Sequence, residues 1–78
     1  MMVVVYNSEQ FTVVAWPVED AYEVVDKAAG RGSFFRGDIA HRFRDGIRVA
    51  VAEDPSSDTV DDFIANFGLE LTNPLHYH

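Results

Sequence analysis

The chain has no cysteine, so disulfides, thiolate metal sites and cysteine nucleophiles are excluded. It is short of positive charge, with 6 lysines and arginines against 13 acids and a formal net charge of −7. An excess of that sign opposes general attraction to nucleic acid or anionic membranes. No apolar run approaches the roughly 20 residues that span a bilayer. The opening "MMVVVY" lacks a basic start and runs straight into polar "NSEQ", unlike a secretory signal. A soluble cytoplasmic protein with no membrane association is therefore expected.

What is present describes one small folded domain over residues 1–78. The sequence is 47% hydrophobic and 24% charged, a globular rather than a disordered balance. A chain of 78 residues buries a modest share of its surface, and without disulfides oligomerisation is the natural supplement.

The period of the apolar residues sets the elements. "MVVVY" and "FTVVAW" are β-branched runs joined by "NSEQ", a hairpin pattern closed by Pro17. "YEVVDK" and "SFFRG" read as a second hairpin around "AAGRG". From Asp38 the period becomes helical: Ile39, Ala40, Phe43, Ile47, Ala50 and Val51 form the apolar stripe. Asp38 is the expected N-cap, and Gly46 lies inside the helix. A second helix follows "EDPSS", capped by Ser56 or Ser57, with the stripe Val60, Phe63, Ile64 and Phe67 and with Gly68 as C-cap. These elements predict an α+β fold: an antiparallel meander of three to four strands, then two α-helices packed on one sheet face. Consecutive bulky residues in "FTVVAW" and "SFFRG" leave apolar side chains for the other face, which predicts a homodimer or a partner-binding surface there.

All six basic residues fall between Lys27 and Arg48, opposed within that stretch by Asp38 and Asp45; every other acid lies outside it. Such a bipolar chain can bind an anion at its middle or pair its ends with its own middle, and pairing is the commoner arrangement. The candidate interaction or anion site is Asp26, Lys27, Arg31, Arg36, Arg42, Arg44 and Arg48.

Specific chemistry is sparse. "GRGSFFRG" has neither nucleotide-loop spacing, and its first two glycines open into a strand-like run instead of a helix. A hairpin turn is the expected reading. The serines and threonines sit in no nucleophile elbow, and the carboxylates cluster where capping explains them. Phe34, Phe35 and Phe43 among the bases superficially suit base stacking, but the pattern of an RNA-binding sheet is missing. His76 and His78 form a terminal His-x-His with no evident third ligand; His41 lies on the first helix. No catalytic residue, cofactor or metal is therefore expected. The expected protein is a non-enzymatic interaction module, dimeric or bound to a protein partner, with phosphate or nucleic-acid binding through the basic middle as the alternative.

Several short patterns together resemble a family of short bacterial proteins classed as a domain of unknown function. They are Tyr6-Asn7-Ser8, "FTVV", Tyr22-Glu23-Val24-Val25-Asp26-Lys27, then Arg31, Phe34, Gly37, Ala40 and Phe43, the run Val60-Asp61-Asp62-Phe63-Ile64, and finally Pro74 and His78. "GRGS" departs from the more charged turn usual there. The resemblance implies a shared fold in a bacterial cytosolic protein and carries no activity with it.

Overall fold

The computed structural model describes the backbone of residues 1–72 and the side chains of residues 1–68. His76, His78 and Pro74 lie outside the described residues. Four strands, β1 (Val3–Asn7), β2 (Phe11–Trp16), β3 (Ala21–Asp26) and β4 (Arg31–Arg36), precede two helices, α1 (Asp38–Glu53) and α2 (Ser57–Thr72). The strands form one antiparallel sheet in the order β1-β2-β3-β4. The α+β meander followed by two helices is thus the observed architecture. The chain clusters into two compact units, Met1–Arg44 and Asp45–His78.

In the first unit the turns set the register. Ser8 closes the first hairpin: its Oγ accepts from the Gln10 and Phe11 amides, and its N–H donates to the Phe11 carbonyl at 2.8 Å. The other two hairpins each have a four-residue loop whose last residue is left-handed, Asp20 (φ 54°) and Gly30 (φ 67°). Those loops place Trp16 opposite Ala21 and Asp26 opposite Arg31. Since side chains alternate along a strand, Phe11, Val13, Tyr22, Val24 and Phe35 then share one face. Phe43, fully buried on α1, closes on that face, 5.5 Å from the Tyr22 ring and 5.2 Å from Phe35 edge-on. Ring pairs in such tilted geometry add roughly 0.5–1.5 kcal/mol beyond their buried area.

The helix boundaries differ from the sequence expectation in two places. Gly37 (φ 73°), not Asp38, is the α1 cap residue, because its carbonyl accepts from the His41 amide at 3.0 Å. Asp38 is the first helical residue, where its charge still suits the positive end of the dipole. Gly68 does not end α2, which continues to Thr72. One interior glycine costs about 1 kcal/mol, too little to stop a helix followed by good helix formers. The α1 stripe is also narrower than expected: Ala40, Phe43 and Ala50 are buried while Ile39 and Val51 are exposed.

In the second unit Val60, Ile64 and Phe67 are the buried side of α2. Ser56 is its cap, with its carbonyl accepting from Val60 N–H at 3.2 Å and its Oγ from Thr59 N–H at 3.4 Å. Phe63 lies against Gly46, where a Cβ would sit 2.5 Å from the Phe63 Cζ. The glycine inside α1 therefore marks a close helix–helix contact.

Candidate functional surface

Of the expected site residues, the sheet register sets Arg31 opposite Asp26, next to Lys27, and puts Arg36 at the far end of β4. Asp26 and Lys27 stand at one end of the sheet. Asp26 Oδ1 accepts from the Ala29 N–H at 3.0 Å and Asp26 O from the Gly30 N–H at 2.8 Å, so Asp26 builds its own turn. Lys27 reaches back to the first hairpin: its Nζ donates to Asn7 Oδ1 at 2.7 Å and to the Ser8 carbonyl at 2.6 Å. Thr12 Oγ1 donates to the same Asn7 oxygen at 3.1 Å, and the Lys27 amide to the Gln10 carbonyl at 2.9 Å. Lys27 is thus a strap across three strands. Its partners Asn7 and Ser8 are not among the candidate site residues; the signal that joins them is the antiparallel meander, which brings the β1–β2 and β3–β4 turns to one end of the sheet.

The arginines spread over two elements. Arg31 and Arg36 begin and end β4, about 17 Å apart at strand rise, and their odd-numbered separation turns them to opposite faces. Arg42, Arg44 and Arg48 are on α1, with Arg44 and Arg48 one turn apart and Arg42 on a different side. Arg31, Arg36, Arg42 and Arg48 are exposed and make no ion pair with a described residue. The expected pairing of acidic ends with the basic middle is therefore missing at these four among the described residues. In the first unit the His41 Nε2 on α1 meets Asp20 Oδ2 at the β2–β3 turn in a hydrogen bond.

The face of the sheet opposite Phe43 is mixed. Register aligns Val4, Val14, Glu23 and Phe34 in one row across all four strands. Val14 is buried, whereas Val4 and Phe34 are 54% and 56% exposed. Trp16 shares this face, and its Nε1 is buried with no hydrogen-bond partner among the described residues. Of the adjacent phenylalanines, Phe35 turns to the core and Phe34 outward. On β1, exposed Val3 pairs with Ala15 and so belongs to the Phe43 face, and a bulge lies between Val4 and Tyr6.

Asp54, between the helices, is the one described group whose acidity clearly moves. The Thr59 hydroxyl donates to its Oδ2 at 2.7 Å and the Ser56 N–H to its Oδ1 at 3.1 Å, holding its carboxyl below the ordinary 3.8. This is a helix-start cluster and has the form of a cap, not of an acid–base pair. Among the described residues no three His, Asp or Glu side chains gather as metal donors, and no helix is long and apolar enough to cross a membrane.

Comparison with known proteins gives a consistent picture. Residues 2–78 match a family described as protein of unknown function (DUF3567). The chain is similar to Protein BTH_I0359 of Burkholderia thailandensis, 36% identical over 85 residues covering 99% of this chain and all of that protein. No solved structure matches.

Proposed function

We propose, for a chain that belongs to the protein family of unknown function DUF3567, the role of a non-enzymatic protein-interaction module that works as a cytoplasmic homodimer. The observation that carries this reading is the row Val4–Val14–Glu23–Phe34, whose outer members are more than half exposed on a sheet face that also holds Trp16. Apolar side chains gathered on one face are characteristic of surfaces that bind protein. A small domain without disulfides gains stability by covering such a face with a second copy. Sedimentation equilibrium tests it: the wild type is expected to dimerise at micromolar concentration and Val4→Asp/Phe34→Asp to remain a folded monomer. A wild type that stays monomeric up to submillimolar concentration overturns the dimer.

A second reading, binding of phosphate or nucleic acid, draws on Arg31, Arg36, Arg42 and Arg48, which make no ion pair among the described residues. Their dispersal over both sheet faces and a helix argues for a weak, salt-sensitive interaction. Retention on heparin or RNA at low salt that disappears at high salt and in Arg31→Ala/Arg36→Ala supports it. No retention at low salt removes it.

A further inference from the structure

The sheet has two edges, and they are built differently. β1 carries a bulge between Val4 and Tyr6, a device that twists an edge away from further pairing. β4 pairs with β3 in unbroken register over all six residues and has no neighbouring strand on its other side among the described residues. It contains no proline and no acid, and five of its six residues are exposed. An edge of this kind presents a row of backbone donors and acceptors ready to accept another strand.

The side chains restrict what that strand is. An antiparallel second copy of β4 in full register would set Arg31 opposite Arg36 at both ends, and like charges directly opposite are unfavourable. A strand with carboxylates five residues apart would instead meet both arginines. Neither is already neutralised: Arg31 and Arg36 make no ion pair with a described residue, Asp26 opposite Arg31 is engaged by the Ala29 amide, and Ala21 lies opposite Arg36. Between them Phe34 stands outward and favours an aromatic or β-branched residue across from it.

We infer that β4 is a strand-addition site for an extended, acid-flanked apolar segment of a partner protein, aligned antiparallel with a carboxylate opposite Arg31 and another opposite Arg36. This rests on the interaction-module reading, uses the sheet edge instead of the sheet face, and is independent of the dimer. Strand pairing supplies the affinity and the two charges set register and direction.

The test uses the full chain and two labelled peptides, acetyl-EVIVTE-amide and its charge-reversed twin acetyl-RVIVTR-amide, with binding read by fluorescence anisotropy. The acidic peptide is expected to bind saturably, and more weakly as salt rises. Arg31→Glu/Arg36→Glu should weaken it about tenfold and bring the basic peptide up to the wild-type affinity for the acidic one. Circular dichroism confirms that the variant is folded. Hydrogen exchange of the β4 amides should slow in the complex. N-methylation of the peptide amides on the pairing edge should abolish binding, while methylation on the outer edge should not. Equal binding of both peptides by the wild type, insensitivity to pairing-edge methylation, or no saturable binding at millimolar peptide overturns the proposal. In the last case the arginines are guards that keep the edge unpaired. A wild-type dimer that persists while the peptide fails would leave the interaction-module reading standing and remove this one alone.

Discussion

Phe63 rests on the bare backbone of Gly46, with its Cζ and Cε1 2.5 and 2.6 Å from where a Cβ would stand. Alanine at that position gains about 1 kcal/mol of helix propensity. It also drives a methyl into an aromatic ring, and overpacking of this kind costs about 1–3 kcal/mol. Gly46→Ala is therefore expected to be net destabilising in urea denaturation, and Gly46→Ala/Phe63→Leu to recover part of the loss. A Gly46→Ala protein more stable than wild type would show that the ring moves aside freely.

Lys27 donates to Asn7 and to Ser8 across the first hairpin. Lys27→Met keeps much of the stem and removes both donors, so a loss of about 1 kcal/mol is expected from hydrogen bonds that are partly replaced by water. A double-mutant cycle with Asn7→Ala checks it. Additive losses would mean that the strap has no energetic content.

Asp20 holds a left-handed backbone while its carboxylate meets His41. For an L-residue that conformation costs roughly 1–2 kcal/mol, less for aspartate and asparagine and nothing for glycine. Asp20→Ala should therefore be the most destabilised of three variants, Asp20→Gly milder, and Asp20→Asn close to wild type in its backbone. An alanine variant as stable as the glycine one, measured by denaturation, contradicts this.

Asp54 has its acidity raised by Thr59 and Ser56, so its folded pKa lies below the unfolded 3.8. A group lowered in this way stabilises fully above its unfolded pKa and loses that contribution as pH falls through the folded one. Acid titration of stability below about pH 4 should be shallower in Asp54→Asn than in wild type. Identical slopes would mean that the helix-start cluster is not formed in solution.

Local chemistry was legible. The segments "FTVVAW" and "VVD", the turn residue Gly30 and the capping serine lie where their residue types put them, because strands, turns and caps depend on neighbours within a few positions, whereas Gly32, expected in the same turn, is paired with Val25 inside β4. The boundaries at Gly37 and Gly68 were misplaced for a related reason: a cap is fixed by which carbonyl the helix uses, and a single glycine is a weak stop. The candidate site was less legible. Its charges are neighbours in sequence, whereas the strand period separates Arg31 from Arg36 and the β3–β4 turn carries Lys27 to Asn7.

The sequence by itself determined the element order, the antiparallel meander and the apolar content of both sheet faces, since periodicity and turn chemistry act over a handful of residues. Only the tertiary structure decided that Phe35 is inside and Phe34 outside, that Gly46 receives Phe63, that Lys27 ties the first hairpin, and that β4 is, among the described residues, an edge strand with an arginine at each end. Each of these depends on strand register or on a contact between residues far apart in the chain. Such contacts are set by how whole elements meet, which no short window of sequence contains.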